Sequence, residues 1–142
     1  MRKIHTNISN KTLEAKNRYR DEIDLLRGRL NLLKGKDKVL MTMYLENGNS
    51  FRQMARLTGI SETSIARRIH GLTKRLIDGQ YIACLQNRNK FTKDQMTIAN
   101  DYFLTGLSIS KIAANRCRSR YHIRKTIKKI KTILNDCDSY RR

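Results

Sequence analysis

The chain contains no proline and no tryptophan, and its 142 residues include only seven glycines, six tyrosines and three phenylalanines. With no proline and few glycines, little interrupts a helix, and the abundant Leu, Ile, Lys and Arg are good helix formers. These counts predict an all-α protein. Scarce aromatics leave no platform on which unpaired bases could stack, which argues against a single-strand RNA module. No apolar run approaches the ~20 residues of a membrane-spanning helix. The opening "MRKIHTNISNK" lacks the apolar centre of a signal peptide, so the expected location is the cytoplasm. Cys84, Cys117 and Cys137 are widely spaced, without CxxC or a histidine at zinc spacing, and read as free thiols. His5, His70 and His122 are scattered, no acidic cluster offers metal ligands, and no glycine-rich phosphate loop occurs. The expectation is a protein without enzymatic activity, metal or cofactor.

Acidic residues are also few. Lys and Arg number 31 against 12 Asp and Glu, giving a net charge of +19. The excess is spread out: residues 1–34 carry +5, 35–76 carry +5, 77–90 carry +1 and 91–142 carry +8. The folded parts themselves are therefore basic. So much charge of one sign in a small chain calls for a polyanion, nucleic acid first and an acidic membrane surface second.

Slid against itself by 58 residues, the sequence lays 33–76 over 91–134 without a gap. Eight positions coincide: Tyr44/Tyr102, Gly48/Gly106, Ser50/Ser108, Ala55/Ala113, Ser61/Ser119, Ile65/Ile123, Ile69/Ile127 and Leu76/Leu134. They fall on apolar positions and helix boundaries, where a fold would demand them. Each copy reads as three helices. In the first, Val39, Leu40, Met43 and Tyr44 form an apolar face, and Gly48 ends the helix. Ser50 caps a second helix with Phe51, Met54, Ala55 and Leu57 facing inward. Gly59 turns the chain, and Ser61 caps a third helix striped by Ile65, Ile69, Leu72 and Leu76. The second copy repeats this with Ser108, Ile112, Ser119, Ile123, Ile127, Ile130 and Leu134. Its turn, "NRCRS", carries Cys117 where Gly59 stands, and a left-handed turn tolerates glycine best, so a looser or strained turn is expected there.

Ahead of the first copy, Tyr19, Ile23, Leu26, Leu30 and Leu33 recur at 4-3-4-3, a two-heptad seam. The seam either folds back on its own chain or pairs two chains, so a homodimer through residues 12–34 is one expected partner arrangement. Between the copies, "IDGQYIACLQNRNK" is too apolar for a free linker and fits either a helical turn or a strand. The organisation expected is a flexible basic N-terminus (1–11), an amphipathic helix (12–34), a first module (35–76), a connector (77–90), a second module (91–135) and a flexible C-terminus (136–142).

Two helices joined by a tight turn, the second with polar outer positions, make a helix-turn-helix. The second helix of such a pair fits a major groove, braced by the first. With Ile65 and Ile69 inward, Glu62, Thr63, Ala66, Arg67 and His70 face out. In the second copy Arg120, Tyr121, Arg124, Lys125 and Lys128 do so. Arg pairs with guanine, Glu accepts from cytosine, and methyls meet thymine. Candidate phosphate contacts are Ser50, Arg52, Arg68, His70, Lys74, Ser108, Arg116, Arg118, Lys128, Lys129 and Lys131. The first face is mixed and suits base reading. The second is nearly all basic and suits attraction to the backbone.

The segment "GNSFRQMARLTGISETSIARRIHGLTKRL", Gly48 to Leu76, resembles the promoter-binding region four of bacterial sigma factors. It is also similar to LuxR-type and homeodomain-like helix-turn-helix modules. "GLSISKIAANRCRSRYHIRKTIKKIKTIL", Gly106 to Leu134, resembles the same pattern more weakly at its turn. The resemblance implies base reading by Glu62, Thr63, Ala66 and Arg67, then by Arg120, Tyr121, Arg124 and Lys125. Sequence-specific binding of double-stranded DNA by two tandem trihelical modules is the expected function, with transcriptional regulation on a bacterial nucleoid as its setting. The alternatives are an accessory protein of recombination or transposition, and a sigma-like factor partnered with RNA polymerase. RNA binding and protein docking rank below these.

Overall fold

The structure is a computed structural model that describes residues 10–139. Residues 1–9 and 140–142 lie outside that range, and with them most of the N-terminal segment (1–11) and the last three residues of the C-terminal segment (136–142) expected to be flexible. All regular elements among the described residues are helical. In order they are α1 (Asn10–Arg29), a 3₁₀ turn (Leu30–Leu32), α2 (Gly35–Leu45), α3 (Phe51–Thr58), α4 (Glu62–Asp78) and α5 (Gln80–Gln86). A second 3₁₀ turn (Arg88–Lys90), α6 (Lys93–Ala99), a π-helical stretch (Asn100–Leu104), α7 (Ile109–Arg116) and α8 (Arg120–Ser139) complete the chain. Residues 136–139 thus continue α8. None of the described helices is long and apolar enough to cross a membrane.

The chain forms two compact units, Met1–Ile65 and Ala66–Arg142, whose boundary falls inside α4. In the first, the 3₁₀ turn packs on α1 and α2, and α2 packs on α3. Its buried side chains include Leu26, Leu30, Leu33, Leu40, Met41 and Met54. The seam of α1 therefore has two fates. Leu26, Leu30 and Leu33 are buried, while Tyr19 is 65% exposed and Ile23 half-buried. The apolar face expected of α2 is also displaced: Leu40 and Met41 are buried and Val39 is exposed. Tyr44, at the rim of α2, stacks on Phe51 of α3 with ring centroids 5.6 Å apart. Leu57, expected inward, is 69% exposed. An eight-residue helix has room for little more than one inward stripe, and Met54 holds its centre.

In the second unit, α8 packs against α6 and α7. Ile98, Phe103, Ile112, Ile123, Ile127 and Ile130 are central to one buried cluster. Each buried Ile contributes about 1.5–3 kcal/mol relative to an exposed one. The connector is helical, and its Cys84 belongs to this core, with Tyr81 and Ala83 packed against it. Burial pushes the Cys84 thiol up to about 11, which keeps it protonated and inert.

The 58-residue repeat reappears in the hydrogen bonds. Asn47 N–H donates to Thr42 O and Asn49 N–H to Met43 O, while Thr105 N–H donates to Asn100 O and Leu107 N–H to Asp101 O. These wide bonds end α2 and the π-helical stretch in the same way, on either side of Gly48 (φ 66°) and Gly106 (φ 77°) respectively. Met54 N–H to Ser50 O matches Ile112 N–H to Ser108 O, and Ile65 N–H to Ser61 O matches Ile123 N–H to Ser119 O. Eight identities out of 44 aligned positions thus correspond to a repeated backbone path.

Candidate nucleic-acid interface

α3 begins with a capping box: Gln53 N–H donates to Ser50 Oγ at 3.2 Å, and Ser50 N–H donates to Gln53 Oε1 at 2.9 Å. It ends at Gly59, whose φ of 76° is the left-handed conformation that a Cβ disfavours. Thr58 tightens the turn. Its hydroxyl donates to Met54 O (2.7 Å) and accepts from Ile60 N–H (3.2 Å). Ser61 Oγ then accepts from Ser64 N–H at 3.2 Å and starts α4. The stripe Ile65, Ile69, Leu72 and Leu76 is buried, which fixes the rotation of α4 about its axis. Glu62, Thr63 and Arg67 are therefore exposed on one side, with Ala66 half-buried between them. Arg52, Arg68, His70 and Lys74 are exposed as well.

The second pair is built on the same plan with different parts. Ser108 Oγ accepts from Lys111 N–H at 3.2 Å. Lysine at that third position cannot return the bond that Gln53 makes in α3. The turn residue, Cys117, stands in the left-handed region with φ 54°, the one non-glycine residue among those described to do so. Arg116, beside it, is committed to the buried carboxylate of Asp101: Nε donates to Oδ2 at 2.8 Å and a terminal nitrogen to Oδ1 at 3.0 Å. The hydrogen bonds to Asp101 hold the Arg116 guanidinium still more firmly in its charged form. Ser119 Oγ accepts from His122 N–H at 3.0 Å and starts α8.

α8 buries Ile123, Ile127, Ile130 and Leu134 and exposes Arg120, Tyr121, Arg124, Lys125, Lys128 and Lys129. At ~1.5 Å per residue its 20 residues make a basic rod about 30 Å long. Tyr121 is 70% exposed, with Lys125 Nζ 6.0 Å from its ring centroid. Lys131 Nζ lies 5.5 Å from the centroid of Tyr102. Asp94, at the start of α6, lies 3.6 Å from both Arg118 and His122. Each base-reading set read from the sequence thus shares one helix face. The phosphate set divides: Lys128 and Lys129 point outward, whereas Arg116 pairs with Asp101 and Arg118 lies near Asp94. Ser50 and Ser108 serve as helix caps. The pairing of Asp101 with Arg116 spans 15 residues and follows no local spacing rule, so the sequence carries no sign of it.

Among the described residues, no group of three or more His, Cys, Asp or Glu is arranged to hold a metal ion. No family model, curated protein or solved structure matches the chain.

Proposed function

We propose that this chain binds double-stranded DNA in a sequence-specific way through two tandem helix-turn-helix modules and regulates transcription at the nucleoid. The observation that carries the reading is the duplicated turn and cap ahead of α4 and α8, each helix showing a polar or basic face opposite a buried aliphatic stripe. α4 reads bases through Glu62, Thr63, Ala66 and Arg67. α8 supplies most of the affinity through Arg120, Arg124, Lys125, Lys128 and Lys129, with Tyr121 able to touch a base edge or sugar. Selection of bound sequences from random duplex DNA tests this, followed by titration at several salt concentrations. A recurrent motif is expected, with affinity falling steeply as salt rises. Tight binding to RNA or to a protein, with no duplex binding at low salt, would remove the reading.

A second copy of the chain is the partner we propose for α1. Its open end carries Ala15, Tyr19 and Ile23 along a surface groove that also takes in Lys16 and Asp24. Buried Leu26, Leu30 and Leu33 are already used, so the pairing is confined to residues 12–25 rather than 12–34. Sedimentation equilibrium should show a mass above 16.7 kDa that Tyr19→Glu returns to that value. A monomer at every concentration tested rules the pairing out. RNA polymerase enters the reading only through the resemblance to sigma region four, and co-purification with the polymerase core tests it.

A further inference from the structure

Arg75 has no counterpart in the repeat, because Ile133 occupies the position 58 residues on. It lies two turns beyond Arg67 on α4 and half a turn around the helix from Ala66, so its side chain leaves the helix away from the reading face. Nε donates to Leu104 O at 2.9 Å, and a terminal nitrogen donates to Thr105 O at 3.3 Å. Those carbonyls close the π-helical stretch, where a helix end leaves acceptors without intrahelical partners. Charge-assisted bonds to them tie the C-terminal half of α4 to the end of that stretch, within the same compact unit as α8.

Two glycines make room for this guanidinium. A Cβ on Gly106 would collide with its Cζ and would lie 2.8 Å from Nε. A Cβ on Gly71, one turn before Arg75, would lie 3.1 Å from a terminal nitrogen. Glycine inside a helix costs about 1 kcal/mol relative to alanine, so Gly71 makes sense as part of a socket. Gly48, the repeat partner of Gly106, has the same left-handed φ but nothing within 4 Å of a built Cβ. The first copy thus needs its glycine for backbone conformation alone. In the second copy it is also needed to admit Arg75.

We propose that Arg75 is a positioning residue that fixes the angle between the two reading helices α4 and α8. Resting on the DNA reading above, this means that the protein accepts one spacing between the two DNA segments it contacts. The test begins without DNA. Spin labels at Arg67→Cys and Lys128→Cys, in a Cys117→Ser background, report the distance between α4 and α8 in the full chain. One narrow distribution is expected. Arg75→Ala and Gly106→Ala should each lose it, Arg75→Lys should recover part of it, and Gly48→Ala, which adds the same backbone strain without touching Arg75, should leave it narrow. Helical content by circular dichroism checks that each variant is folded. An Arg75→Ala distribution as narrow as that of the parent overturns the proposal.

Selection from duplexes with variable spacers gives the functional readout. The parent should choose one spacer, and Arg75→Ala should accept several while keeping the same base preferences. A uniform loss of affinity at every spacer, with the preferred spacer unchanged, also overturns the proposal. If the parent binds no duplex at all, the DNA reading fails, and the label distances alone decide the role of Arg75.

Discussion

The two turn-and-helix pairs solve one backbone problem with different residues. In the first, Gly59 takes the left-handed turn without steric cost, and Thr58 ties it from within. In the second, Cys117 takes the same conformation with a Cβ, and the bidentate Arg116–Asp101 pair anchors the residue beside it. The caps differ too: α3 has the full capping box, α7 only half of one. α6, however, has a capping box from Thr92 and Gln95, while α2 starts at Lys34 without a side-chain cap. The repeat thus preserves a path and not a set of contacts. Each copy reaches that path with whichever local interactions its own sequence supplies. This freedom is what allows one outer face to be mixed and the other almost wholly basic.

The comparison can be tested where the copies should behave alike. Ile65 and Ile123 are both fully buried at equivalent positions, and alanine at either should cost about 2–5 kcal/mol. Urea unfolding checks this. A change of less than ~1 kcal/mol at one of them would mean that its helix is not locked by its stripe and that the facing residues are misassigned. The next effect should appear in the second copy alone. Asp101→Asn removes the negative charge and one of the two oxygens that accept from Arg116, and should cost about 1.5–3 kcal/mol, because the bonds involve charged groups. A double-mutant cycle with Arg116→Gln should recover most of that loss as a coupling between the two positions. Independent, additive losses would show that the turn does not depend on the pair. The smallest effect exchanges the turn residues. Gly59→Ala should destabilise by about 1 kcal/mol, and Cys117→Gly should stabilise by a similar amount, since only the latter relieves a left-handed Cβ. Equal signs for the two changes would contradict the account of the turns.

Much of this was legible in the sequence because it depends on local chemistry. Ser50, Ser61, Ser108 and Ser119 announce their helices, and each accepts the expected N–H within three residues. The stripes from Ile65 to Leu76 and from Ile123 to Leu134 follow from helical periodicity alone. Cys117 was legible as a departure from glycine, though not the pair that stands beside it. Asp101 to Arg116 and Arg75 to Leu104 span 15 and 29 residues, and no short pattern specifies a bond between an arginine and a distant acceptor. The connector was ambiguous because its seven-residue helix starts at Gly79 without a side-chain cap and draws its stability from the burial of Cys84 in the core. In α2 and α3 the inward faces shifted because short helices are oriented by their neighbours: Met41 is buried, and Val39 and Leu57 are exposed.

In the function we propose, two unequal reading helices share one DNA site, α4 choosing the sequence and α8 holding the backbone. The most direct measurement is binding to a panel of duplexes over a range of salt, comparing Arg67→Ala with the double variant Lys128→Ala/Lys129→Ala. Arg67→Ala should lose about 1–3 kcal/mol of discrimination at one base pair and little salt dependence. The double variant should weaken binding alike on every duplex and lower the log–log salt slope by about 0.9 for each phosphate it no longer neutralises. If both variants weaken binding equally on every sequence, with the same change in slope, the division of labour between α4 and α8 is wrong.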